Sequence, residues 1–204
     1  MSEVNPSNFV TDIVTFSYAN VFEPKLNPSG KLKYSACLLL DKTNSAEKAR
    51  WDACIDAAIQ LGIKQGKFTA NQRPILKTPI RDGDEELKTG IKKEESYKGR
   101  YFVNANSDNP PGVTKPQGGV AVPIADPLEF YSGCKGRAII TFYPYSEGGS
   151  RGIAVGLNGV YKVADGDRLD GRVNASAVFS QFAEADGDLE AGEDTGAESP
   201  QPFE

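Results

Sequence analysis

The residues able to do acid, base or metal chemistry are poorly arranged for it. Histidine is absent from the 204 residues. That removes the commonest general base and metal ligand, and with them the Ser-His-Asp, Cys-His and His-zinc chemistries. The three cysteines, Cys37, Cys54 and Cys134, contain no CxxC pair and read as buried reduced thiols, not as a zinc site or a disulfide framework. Asp82, Asp84, Glu85 and Glu86 lie close together, which leaves one alternative open, a metal-dependent nuclease using Asp82, Asp84 and Glu85. With no second ligand cluster, a charged loop tip explains them better. Gly62 to Phe68 resembles a phosphate loop but has three residues between its glycines and no Ser or Thr after Lys67, so it lacks the Mg²⁺-binding hydroxyl. Asp165 to Gly171 gathers three acids, yet Ser176 stands where a calcium loop needs its Glu. No catalytic residue, metal or cofactor is expected.

A different chemistry is better served. Single-stranded nucleic acid is a polyanion with splayed bases, so its binder needs cations that track phosphates and rings on which bases stack. Strand alternation places Lys98, Arg100, Phe102 and Asn104 on one face, with Tyr101 and Val103 opposite. Between Lys135 and Tyr145, one face carries Lys135, Arg137, Ile139, Thr141, Tyr143 and Tyr145, while Ala138, Ile140 and Phe142 form a core face. Lys31 and Lys33 share the outer face of an earlier strand, and Arg151 follows a Gly-rich turn. The candidate nucleic-acid-binding residues are therefore Lys31, Lys33, Lys98, Arg100, Phe102, Lys135, Arg137, Tyr143, Tyr145 and Arg151.

The elements that must position them are mostly strands. Thr11–Tyr18, Lys31–Leu40, Lys98–Ala105, Gly119–Ile124, Lys135–Tyr145, Arg151–Val155 and Leu157–Val163 have strand patterning. One helix begins at Asn44 or Ser45, with Asn44 as cap and Glu47 three residues on. Its core stripe is Trp51, Cys54, Ile55, Ala58 and Leu61, and Gly62 is a natural stop. Residues 64–96 read as a long basic loop or excursion, a length that in a compact domain usually has a job. Many short strands with one helix argue for a small barrel.

Charge divides the chain. Residues 183–204 hold eight acids and no Lys or Arg, leaving 20 acids against 23 bases in residues 1–182, so a +3 body carries a −8 tail. Such a segment cannot bury enough apolar surface to offset its ordering entropy and is expected to be disordered. Phe203, after Pro200-Gln201-Pro202, is an aromatic that a partner could grip. A protein-only adaptor acting through this tail is a second alternative. No apolar run approaches the roughly 20 residues of a spanning helix, and Met1 to Pro6 lacks the basic start and apolar stretch of a secretory signal. A cytoplasmic protein with no membrane partner is expected, and a homodimer is compatible with the sequence.

In order along the chain, Ser17-Tyr18-Ala19-Asn20-Val21-Phe22-Glu23-Pro24, the Tyr34 to Lys42 strand, Tyr131-Ser132-Gly133-Cys134-Lys135-Gly136-Arg137-Ala138, Phe142-Tyr143-Pro144-Tyr145, Gly152 to Val160 and Asp165-Gly166 resemble a phage-encoded single-stranded-DNA-binding protein family. The resemblance covers roughly residues 11 to 182. It implies a mainly β, OB-fold-like five-stranded Greek-key barrel over residues 1–182, with one main helix and the long excursion, followed by the acidic tail, residues 183–204. It also implies sequence-independent coating of single-stranded DNA during phage replication and recombination, in the host cell cytoplasm and without catalysis. The tail, with Glu193, Asp194, Glu198 and Phe203, would recruit a polymerase, helicase or primase and compete with DNA for the basic groove. Phe203 is penultimate here, with Glu204 after it.

Overall fold

The computed structural model describes residues 6–171 together with 179 and 182. The described residues up to Asp170 form one compact unit. The expected tail, residues 183–204 with Glu193, Asp194, Glu198 and Phe203, lies outside the described residues.

Among the described residues one sheet holds nine strands. They are β1 (Phe9–Val10), β2 (Val14–Leu26), β3 (Leu32–Asp41), β4 (Arg81–Asp82), β5 (Arg100–Ser107), β6 (Gly112–Gln117), β7 (Val120–Pro123), β8 (Lys135–Glu147) and β9 (Ser150–Ala164). Five of them close on themselves. β2 pairs with β3, β3 with β5, β5 in parallel with β9, β9 with β8, and β8 back with β2. This ring is the Greek-key barrel expected from the resemblance; β1, β4 and the β6–β7 hairpin are appended to it.

Alternation fills the barrel. Ala36, Leu38 and Leu40 of β3, Val103 and Ala105 of β5, Ala138, Ile140 and Phe142 of β8, and Ile153, Val155 and Leu157 of β9 enter one core. The helix α1 (Ser45–Lys64) closes the barrel from outside, with Trp51, Cys54, Ile55, Ala58 and Ile59 buried. Its cap is the expected one, since the Asn44 side chain accepts the Glu47 N–H at 3.1 Å. Glu47 itself is buried and accepts from Trp51 Nε1 and the Asp12 N–H, each at 2.8 Å.

Gly62 does not stop this helix, which runs on to Lys64. A side chain there would meet the Phe68 ring at 2.3 Å and Pro144 at 2.8 Å, so the position is glycine because the helix lies hard against β8. Two further expectations are revised. Residues 150–164 form one continuous strand, not two, and the excursion is ordered: a 3-10 turn (Ala70–Ile75), β4, the short helix α2 (Gly83–Lys88) and a 3-10 turn (Glu95–Tyr97). β6 was not expected, because its Thr114-Lys115-Pro116-Gln117 run has no apolar alternation. The β8–β9 hairpin turns on Gly148 and Gly149 at φ +55° and +79°, the left-handed pair that a two-residue hairpin loop requires.

Candidate nucleic-acid interface

OB-type barrels take oligonucleotides on the outer face of their second and third strands and on the loops joining strands one to two and four to five. In this ring those are β3 and β5, the β2–β3 hairpin and the β8–β9 hairpin. The outer residues of β3 and β5 are Lys33, Ser35, Cys37 and Leu39, and Arg100, Phe102, Asn104 and Asn106, with Ser35 opposite Asn106, Cys37 opposite Asn104 and Leu39 opposite Phe102.

One half of this face is covered. Cys37, Leu39, Phe102 and Tyr97 form a second buried cluster beneath the excursion, with Leu87 and Leu169 against it. Phe102 is 0% exposed, its ring edge-on to Tyr97 at 4.9 Å and the Arg81 guanidinium 5.0 Å from its centroid. The expected groove residue Phe102 is thus a core residue. Its face was assigned correctly, opposite Val103, but the excursion occupies that face. Burial pushes the Cys37 thiol up to about 11, and Tyr97 donates its hydroxyl proton to Cys37 Sγ at 3.4 Å.

The acids singled out as a nuclease alternative hold this cover in place. Lys42 Nζ lies 2.6 Å from both Asp82 and Asp84. Although burial opposes the charge, the two carboxylates push its ammonium up to about 12. Asp82 also caps α2, accepting the Asp84 N–H at 2.9 Å, and Asp84 accepts the Gly99 N–H at 2.9 Å. Glu85 pairs with Lys88 at 2.8 Å. An ammonium therefore sits where a divalent ion would need those oxygens, and no group of three candidate metal ligands occurs among the described residues.

The other half is open. Asn104 and Asn106 are exposed, Ser35 half-buried, and the row Asn20, Ser35, Asn106, Gly156, Thr141 crosses four strand pairings. Beyond it the β2–β3 hairpin projects Lys25 opposite Lys33 and Leu26 opposite Leu32, with Lys31 at its turn; Lys33 also pairs with Asp108. Tyr18 stands at the border between the halves. It is 51% exposed and sits at φ +46°, a conformation that costs a non-glycine residue about 1–3 kcal/mol and clusters at functional sites. Its hydroxyl donates to Glu94. That bond, followed by burial, pushes its pKa up to about 12. Lys92 Nζ lies 4.6 Å from the Tyr18 ring centroid and 4.5 Å from that of Tyr97. Sequence reasoning did not single out Tyr18, Lys92 or Asn106 as candidates. Tyr18 ended an expected strand, and nothing in the chain marks the break in β2–β3 register between Ser17 and Asn20 that sets it apart.

The remaining candidates separate. Tyr143 is 43% exposed over Gly156, whose Cβ position is 3.7 Å from the ring; Tyr145 and Arg151 lie beside it at the β8–β9 hairpin. Lys135 and Arg137 share their face of β8 but lie at its far end, roughly 20 Å from Tyr143 to Arg137 by strand rise. Arg137 is engaged with the Thr11 carbonyl at 3.1 Å and Asp12 at 3.0 Å. Arg100 donates to the Ser96 carbonyl at 2.9 Å opposite Asp41, and the exposed Lys98 lies 4.0 Å from Glu95, both at the covered end. The structure places Lys31 and Lys33 at the β2–β3 hairpin and Tyr143, Tyr145 and Arg151 along the β8–β9 hairpin, with Lys98 and Arg100 at the covered end of β5 and Lys135 and Arg137 at the far end of β8.

A profile of the family described as "Enterobacter phage Enc34, ssDNA-binding protein" matches residues 7–190. The chain belongs to this family. Its fold is similar to that of the single-stranded-DNA-binding protein of bacteriophage Enc34 solved in complex with ssDNA, at 24% identity and a TM-score of 0.62, over 78% of this chain and 88% of that one. A second structure of the Enc34 protein matches at 24% identity and a TM-score of 0.60, over 83% and 88% of the two chains. No curated protein matches the chain.

Proposed function

We propose that the protein binds single-stranded DNA, with little regard to sequence, on the open half of the β3–β5 face. Phosphates would be met by Lys25, Lys31, Lys33 and Lys92, bases would stack on Tyr18 and Tyr143, and Tyr145 and Arg151 would extend the path along the β8–β9 hairpin. The observation that carries this reading is the juxtaposition, on that face, of an exposed and strained tyrosine, lysines and two uncovered asparagines in a member of this family. Stacking accepts any base and phosphate neutralisation reads none, so affinity should be sequence-tolerant and steeply salt-dependent.

Coating of single-stranded DNA in phage replication and recombination, in the host cytoplasm, follows as the proposed role. The −8 tail, tethered to a +3 body, would compete with DNA for the cationic face at high effective concentration and would offer Glu193, Asp194, Glu198 and Phe203 to a polymerase, helicase or primase. Fluorescence titration of single-stranded and duplex oligonucleotides of one length tests the reading. Tighter binding of the single strand is expected; equal affinity for duplex would contradict it.

A further inference from the structure

Among the described residues, two clefts that border the excursion differ in charge. The larger, about 440 Å³, carries Lys48, Arg73 and Arg81 among Asp52, Asp56 and Asp82. Its cations are matched in place, Lys48 by Asp52 at 2.7 Å and Arg73 by Asp56. The smaller, about 320 Å³, lies between the excursion and the β8–β9 hairpin, lined by Gln72, Ile75, Lys77, Ser150 and Arg151 together with Leu76 and the turn glycines. No carboxylate lines it, and neither Lys77 nor Arg151 has an ion-pair partner among the described residues.

The backbones of Lys77 and Arg151 run side by side. The Lys77 N–H donates to the Arg151 carbonyl at 3.0 Å, and the Ile153 N–H to the Lys77 carbonyl at 2.9 Å. Gly152 permits that approach, since a Cβ there would lie 2.3 Å from the Lys77 oxygen. Both residues line the cleft with no carboxylate among its lining, so an anion there meets positive charge alone. Ile75, 75% exposed, gives the cleft an apolar wall. Across the hairpin Arg151 faces Ser146, and Gly152 faces Tyr145, so the cleft borders the hairpin that carries Tyr143 and Tyr145.

We propose that this cleft is a phosphodiester-binding subsite for the same DNA strand, in which Lys77 and Arg151 grip backbone phosphate and Ile75 supports a base. The excursion would then have two jobs: it seals half of the β3–β5 face and builds the far wall of a second one. The inference rests on the single-stranded-DNA reading above and extends it to a segment outside the barrel.

The test is oligothymidylate binding by the full-length protein and by Lys77→Gln/Arg151→Gln, across a salt series, with a melt of each variant. Each single-strand phosphate contact contributes about 0.7 to the slope of log affinity against log salt. Loss of both cations should therefore lower the slope by about 1.4, and the advantage of the wild type should shrink about sevenfold between 50 and 200 mM salt. Backbone bonds at Lys77 do not depend on its side chain, so the melting temperature should hold. Photocrosslinking of a halogenated oligothymidylate, read by peptide mapping, should mark residues 72–77 and 148–151 in the wild type. Wild-type binding with an unchanged slope in the variant, or crosslinks absent from those peptides, overturns the subsite and leaves the ssDNA reading standing. Protection of the cleft by inorganic phosphate with no effect of the double variant on DNA also overturns it. Failure of the wild type to bind single strands overturns the reading on which it rests.

Discussion

Replacing Phe102 by Ala should unfold the protein more easily and leave DNA affinity of the folded fraction almost unchanged. The ring is fully buried, packed edge-on to Tyr97 at 4.9 Å and beneath Arg81 at 5.0 Å. Truncating a buried phenylalanine costs about 3–5 kcal/mol, from lost transfer free energy and from the cavity left behind. At about 2–4 °C per kcal/mol for a unit of this size, the melting temperature should fall by roughly 6–20 °C. The cluster lies between the sheet and the excursion, so amide exchange should accelerate first in residues 83–99. Phe102→Leu, which refills most of the space, should recover most of the loss. The assay is a thermal melt of each variant, paired with oligonucleotide titration at a temperature where every variant is folded. A melting temperature within a degree or two of wild type, together with lost affinity, would show that Phe102 meets DNA and that the excursion does not cover it.

Tyr18→Ala should weaken single-strand binding by about 1–3 kcal/mol, the usual worth of one stacking ring, while the salt slope stays as it was; fluorescence titration at two salt concentrations reads both. Arg137→Ala should change neither affinity nor salt slope, because its guanidinium serves Thr11 and Asp12 at the far end of β8. The Asp82 and Asp84 carboxylates are held below their ordinary value of 3.8. Their contribution to holding the excursion is complete above that pH and is lost as pH falls through their folded values, so acidification below 3.8 should accelerate amide exchange in residues 83–99 before the barrel melts. Deleting residues 183–204 changes the net charge from −5 to +3 and should raise DNA affinity most at low salt, where the tail's attraction to the body is least screened. Unchanged affinity at low salt would leave the tail without that role.

Strand alternation was legible wherever one face is apolar. Ala138, Ile140 and Phe142 of β8, and Ala36, Leu38 and Leu40 of β3, fill the core as their spacing requires, and Asn44 caps α1. Alternation reports a face, though, and neither what covers it nor how far along the strand a residue lies. Phe102 was read onto the correct side of β5 and is buried there because the excursion returns over it, a long-range contact that no local pattern encodes. Arg137 and Tyr143 share a face and yet serve opposite ends of β8. Gly62 looked like a terminator because a helix-ending glycine and one forced by close approach are the same residue in sequence; Phe68 and Pro144 decide the matter. Tyr18 and Lys92 meet across a sequence separation that only the folded excursion closes.

Hydrogen exchange of the full-length protein with and without saturating oligothymidylate tests the central claim most directly. Protection is expected at Tyr18 to Asn20, at Lys33 to Ser35, at Asn104 to Asn106 and at the β8–β9 hairpin, with none at Lys135 to Arg137. Protection confined to the Arg137 end of β8, or none at Tyr18 and the asparagines under saturation, would contradict the placement of DNA on the open β3–β5 face.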